Sequence, residues 1–237
     1  MTTLTPTKST AVTFGPLGER AARPLFLITA ISATFGVGLS FILTLLGTYP
    51  SLNTDSSLLG NASQGALGRV FDFFTYFTIW SNILVAVIMW MLVVNPRRNG
   101  KIFRVLRLDT ILMISVTGII YQGLLAASAK NVGLEVVTNF FEHQLTPIVV
   151  VVVWLLVGPR RQIKWADIPL ALIVPIAWAI FALVRGAVIH AYPYGFLNVD
   201  KYGLGAVILT VIEIAIFGVI ISAIYLGLDR LLSLNKR

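Results

Sequence analysis

Cysteine is absent from the chain, which excludes disulfides, thiol nucleophiles and cysteine-ligated metals. Histidine occurs only as His143 and His190, on different predicted helices, so neither a metal cluster nor a haem ligated by paired histidines is expected. No lysine falls inside a predicted helix, which removes a retinal Schiff base; the sequence calls for no cofactor and no metal. Charge is scarce too. Asp, Glu, Lys and Arg make up 12% of the 237 residues, against roughly 25% in an ordinary soluble domain. No polar stretch is long enough to bury a core, so a separate soluble domain is not expected.

What the chain has in abundance is apolar length. It is 57% hydrophobic with a mean hydropathy of +0.88. Six runs reach the roughly 17–25 residues that cross a bilayer core of about 30 Å: about 25–46, 70–94, 110–127, 140–157, 168–189 and 204–228. Barrel-type alternation is missing, and an open sheet edge has no hydrogen-bond partner in lipid. The predicted fold is all-α: a polytopic membrane protein with a six-helix transmembrane domain over residues 24–230. A disordered tail is expected over residues 1–23, a short tail over 231–237 and a flexible loop over 47–68.

The net charge of +8 is a matter of topology. Lys8, Arg20 and Arg23 precede helix 1, and Arg97, Arg98, Lys101, Arg104 and Arg107 follow helix 2. Arg160, Arg161 and Lys164 follow helix 4, and Arg230, Lys236 and Arg237 end the chain. These fourteen lie on one side, against Arg69, Lys130 and Lys201 on the other. The positive-inside rule therefore predicts that both termini are cytoplasmic. No nucleic-acid partner is needed to explain the basic charge; the lipid bilayer is the expected partner.

Polar side chains inside the runs are costly and mark bundle interiors or wet cavities. Helix 2 carries Asp72, Thr75, Thr78 and Asn82 at steps of three, three and four, hence on one face. Helix 3 has Tyr121 and Gln122, helix 4 Glu142 and His143, helix 5 Arg185 and helix 6 Glu213. With the predicted orientation all of these fall in the outer half of the bundle. Each also has a structural reading: Thr75 and Thr78 can bond their own helix one turn back, Asn82 can join helices, and Arg185 can pair with Glu213. Pro147 cannot donate to the His143 carbonyl and should kink helix 4 beside the histidine.

The segments Tyr76-Phe77-Thr78-Ile79-Trp80-Ser81-Asn82, His143-x-x-x-Pro147 and Tyr192-Pro193-Tyr194-Gly195-Phe196-Leu197 give the chain a resemblance. Over most of residues 25–230 it resembles small bacterial six-helix membrane proteins, distant relatives of the eukaryotic androgen-induced and androgen-dependent membrane hydrolases. That resemblance implies a multi-pass protein of the bacterial plasma membrane. It also implies an intramembrane threonine hydrolase of fatty acid esters of hydroxy fatty acids, with Thr78 as nucleophile and His143 as base. His143 stands one residue closer to the following proline than in the eukaryotic pattern.

Supporting roles follow from chemistry: Asn82 as oxyanion donor, Asp72 or Glu213 orienting His143, Arg185 holding a lipid carboxylate. Thr75, Tyr121 and Gln122 would line the cavity. Thr78 lies eight residues into predicted helix 2 and His143 three into helix 4, so a shared depth requires helix 4 to begin earlier, near Val136. A non-catalytic lipid-binding or regulatory membrane protein is the second reading and a transporter the third; transport would require a polar path through the cytoplasmic half, where polar residues are few.

Overall fold

The computed structural model describes residues 12–48, 58 and 65–234. Most of the loop 47–68 lies outside the described residues, as do residues 1–11 and 235–237. The described chain is helical, with no strand. Six of its helices are long and apolar enough to cross a membrane. We label α1 Gly18–Leu46, α2 Ala66–Phe73, α3 Phe77–Val94, α4 Lys101–Leu125, α5 Leu134–Val157, α6 Trp165–Ile189 and α7 Leu204–Leu234; α2 is the short one that does not span.

The spanning helices run alternately up and down. Arg97 after α3 binds Glu19 in α1, and Arg161 after α5 donates to Asp229 in α7. Both described chain ends therefore lie at one end of the bundle, called here the terminal end, with the distal end opposite. α4 is the central helix, 61% buried over its most apolar window, whereas α7 is 17% buried. Exposed side chains on α6 fall at Ile173, Ile176, Ile180, Val184 and Val188, a stripe at helical spacing. So large an apolar surface is stable only against lipid or another protein. Toward the terminal end Ile88 and Leu92 of α3, Ile111 and Leu112 of α4, and Val153 and Val157 of α5 share one apolar core.

Several boundaries differ from expectation. Helix α1 begins at Gly18 and runs through Pro24, whose missing hydrogen bond falls near the exposed Arg20, where water can replace it. Residues 12–17 of the supposed disordered tail are packed. Phe14 is buried, the Arg160 amide donates to the Thr13 carbonyl at 2.8 Å and Leu17 donates to Leu156 at 3.1 Å. A Cβ on Gly15 would stand 2.5 Å from the Leu156 carbonyl oxygen, so only glycine lets this segment lie so close. Helix α4 starts at Lys101, and so includes Arg104, Arg107 and the buried Asp109. Polar burial thus extends into the terminal half as well.

The predicted second helix is two helices. At Phe74–Tyr76 the chain leaves helical geometry, with Tyr76 at φ −80° and ψ 132°. The carbonyls released there are taken by indoles: Trp80 Nε1 donates to Phe74 O at 2.7 Å and Trp178 Nε1 to Thr75 O at 2.9 Å. Buried carbonyls require such partners. The break makes Thr78 the second residue of α3 instead of a mid-helix residue.

Candidate functional site

Two π-helical turns face each other at the distal half, Tyr121–Leu125 in α4 and Phe141–Leu145 in α5. The second is the local answer to Pro147. With no amide at 147, the helix widens so that the Thr146 amide bonds Phe141, and π-turns of this kind are common at functional sites. Pro147 packs against Gly118, where an added Cβ would lie 2.9 Å from the proline ring. The close α4–α5 approach stacks the Tyr121 ring on His143, centroids 4.1 Å apart.

Helix α1 closes the other side through Ser32, Gly36, Ser40 and Thr44, spaced by four. Ser32 Oγ meets Thr146 Oγ1 at 2.8 Å, a Cβ on Gly36 would lie 3.1 Å from Phe141, and Ser40 hydrogen-bonds Glu142. Small residues at this spacing allow close helix packing in membranes.

At the centre, Thr78 Oγ1 lies 3.0 Å from His143 Nε2. The other ring nitrogen, Nδ1, faces the Asn139 carbonyl one turn back, without a fully formed hydrogen bond. In the tautomer that places the proton on Nδ1, toward a carbonyl that can only accept, Nε2 accepts from the Thr78 hydroxyl. The depth mismatch is resolved from both sides: α5 begins at Leu134, and α3 begins just before Thr78.

Tyr194, in the loop after α6, brings its hydroxyl within 3.4 Å of both Thr78 Oγ1 and the Thr78 amide, and the Phe77 amide points to it as well. Burial pushes the Tyr194 phenol above its ordinary value, which keeps it a donor. Its loop is pinned by buried Tyr192 and Leu197, with the Tyr192 ring lying on Gly186 where a Cβ would clash.

Other predicted roles are corrected. Asn82 is not available as an oxyanion donor: its Nδ2 is spent on the Thr78 carbonyl at 2.9 Å and the Glu142 carbonyl at 3.2 Å, tying α3 to α5. Asp72 does not orient His143; it is buried and paired with Arg185. Burial pushes the Asp72 carboxyl up, against the pull of the guanidinium. That pair replaces the Arg185–Glu213 pairing and engages one nitrogen of the guanidinium meant for a lipid carboxylate. Thr75 bonds back to Phe71 at 2.9 Å. Gln122 is exposed on the outside of the bundle, and so is Glu213.

Thr78, His143, Tyr121 and Tyr194 stand where two compartments meet. One is apolar, about 860 Å³ with its mouth, and reaches Leu112 in α4, Leu172 in α6 and Gly218 in α7. From Tyr121 to Leu112 along α4 is roughly 13 Å at 1.5 Å per residue. The other, about 880 Å³ with its mouth, is polar, bordered by Ser40, Asn139, Glu135 and Glu142.

Sequence reasoning missed helix α1, Glu135 and Asn139 as contributors and set Glu142 aside. The four-residue spacing Ser32-Gly36-Ser40-Thr44 was the signal available for α1. Tyr194 entered only within a motif. Among the described residues no group of three or more His, Asp or Glu could hold a metal. Comparison with protein families, curated proteins and solved structures finds no match to this chain.

Proposed function

We propose that this protein is an intramembrane lipid-ester hydrolase with Thr78 as nucleophile and His143 as general base. The observation that carries the reading is the 3.0 Å contact between Thr78 Oγ1 and His143 Nε2, at the junction of an apolar and a more polar compartment. The reading extends the resemblance to the threonine hydrolases and keeps its setting, a multi-pass protein of the bacterial plasma membrane. The basic bias supports cytoplasmic termini, which turns the distal end outward.

In the proposed reaction the acyl chain lies in the apolar compartment. Thr78 Oγ attacks the ester carbonyl carbon as its proton passes to His143 Nε2. The carbonyl oxygen becomes an oxyanion at the first turn of α3, within reach of the Phe77 and Thr78 amides and the Tyr194 hydroxyl. The C–O bond to the alcohol breaks, and the alcohol leaves with the proton from His143. Water, activated by His143, then releases the fatty acid from Thr78. The test is release of fatty acid from a lipid ester by purified protein, with mass spectrometry of the acylated peptide containing Thr78. Neither product nor acyl-Thr78 adduct under any lipid-ester condition would defeat the proposal.

Two further outcomes are expected. A Cβ added at Gly218 would lie 3.4 Å from Leu172 and 3.7 Å from Leu112, ordinary contact distances, so Gly218→Leu fits and shortens the apolar compartment. Turnover of long-chain esters should fall roughly tenfold, with short-chain esters spared, the scale on which hydrophobic pockets discriminate chain size. Glu213→Leu, on the outer face, should keep turnover within about twofold of wild type and leave thermal stability equal or higher, since a membrane-facing charge is removed. Comparing kcat/KM across acyl lengths checks the first; activity and melting in detergent check the second.

Retention of the same compartments favours one second reading, a non-catalytic lipid-binding protein. It predicts saturable lipid binding with no product.

A further inference from the structure

We infer that the polar compartment beside Thr78 and His143 selects an uncharged, hydroxyl-bearing head group, glycerol-like in chemistry, and discriminates against an anionic one. Its consequence for turnover rests on the hydrolase reading; its consequence for binding does not.

Glu142 is 5% exposed and borders this compartment, and its Oε1 has no hydrogen-bond partner. A buried carboxyl oxygen without a donor is costly, and the compartment is the space from which a donor can come. Glu135, 8% exposed, borders the same space. No Lys or Arg borders it among the described residues. Arg69 donates to the Thr44 and Leu45 carbonyls at the end of α1, Arg185 pairs with Asp72 through one nitrogen, and the exposed Lys130 stands between Ala129 and Asn131 without itself bordering the space.

The rest of the border mixes apolar side chains such as Phe73, Ile79 and Leu125 with neutral polar ones, the hydroxyls of Ser40, Ser128 and Thr138 and the amides of Asn131 and Asn139, whose Nδ2 groups reach the Tyr121 hydroxyl and keep a second N–H each. Alternating donors and acceptors around an acid suit a diol, which donates to the carboxyl and accepts from the amides. An ionised carboxylate or phosphate would meet two buried acids and no cation in the lining, and like charges brought together disfavour binding. The substrate class is therefore an acyl ester of a neutral polyol, not an ester whose alcohol half carries a free carboxylate. The resemblance alone would have suggested the latter.

The test uses the full chain with Thr78→Ala, in maltoside micelles at pH 8, with binding read by tryptophan fluorescence. Three decanoyl esters serve as probes at matched mole fraction: of glycerol, of a hydroxy fatty acid with a free carboxylate, and of choline. The glycerol ester should bind at least tenfold more tightly than the carboxylate ester. Adding Glu142→Gln, which keeps size and an acceptor but removes the acid, should cut that ratio to about threefold or less; Glu135→Gln is the second variant if Glu142→Gln fails to fold. Equal or tighter binding of the carboxylate or choline ester overturns the assignment, and so does a ratio unmoved in both folded variants. The same probes with the unmodified protein separate the two readings. Preference in binding with no turnover of any probe removes the hydrolase while the head-group selection stands. Turnover led by the carboxylate ester keeps the hydrolase and removes the selection.

Discussion

Thr78→Ala is expected to lower kcat for a lipid ester by roughly 1,000-fold or more, the scale on which catalytic nucleophiles are lost. Among the described residues the hydroxyl is the one group at hydrogen-bond distance from His143 Nε2, and alanine offers no atom in its place. His143→Ala should cost a similar factor, because an unassisted threonine hydroxyl is a poor nucleophile at neutral pH. The double variant should be no worse than either single one, since the two groups act as a unit. Thr78→Ser, which keeps the oxygen, should retain measurable turnover. Tyr194→Phe removes one oxyanion donor but leaves the two amides of α3, and should cost about 100-fold. Steady-state turnover of a fluorogenic lipid ester by folded, purified variants checks the series. If Thr78→Ala and His143→Ala both stay within tenfold of the unmodified protein, the pair is not the catalytic machinery.

The second large effect concerns stability at the terminal end. Asp229 in α7 is fully buried and accepts three consecutive backbone amides from the loop between α5 and α6: Arg161 at 3.0 Å, Gln162 at 2.9 Å and Ile163 at 3.1 Å. Arg161 sits at φ 56°, a conformation non-glycine residues rarely adopt, and the carboxylate holds it there. Asp229→Ala strands those amides and should cost roughly 3–5 kcal/mol, the range for removing one partner of a buried charged contact. Asp229→Asn keeps one acceptor oxygen and should lose about half as much. Thermal unfolding in detergent reads both, and turnover per folded molecule should be unchanged because the site lies toward the distal end. A melting temperature equal to that of the unmodified protein would show that the loop amides find other acceptors.

The general architecture was legible because its causes are one-dimensional. The length of an apolar run is set by the thickness of hydrocarbon, and no tertiary contact has to be known to count it. All six spans were found this way. Their ends were not, because ends are set by partners. Nothing local announces that the first turns of α1 tolerate Pro24. Nor does the sequence show that two indoles, one of them a hundred residues away in α6, would stabilise a break before Thr78.

The polar site was legible in part for the same reason. Steps of three and four correctly put several polar groups on one side, but they describe an unbroken helix. Asp72 ended on the far side of the break from Thr78, and Thr75 within it. Exposure cannot be read from depth either: Glu213 and Gln122 lie at plausible levels and face outward, while Ser40 and Glu135 face in.

The sequence by itself determined a helical chain with six helices long and apolar enough to cross a membrane, since hydropathy and charge scarcity are properties of composition and order. The tertiary structure alone decided which of its polar groups meet. Thr78 reaches His143 because α3 starts late, α5 starts early, Pro147 forces a π-turn and Gly118 lets α4 press against it. Each of those is a relation between helices, and the energies that fix it come from contacts the chain makes only after it has folded.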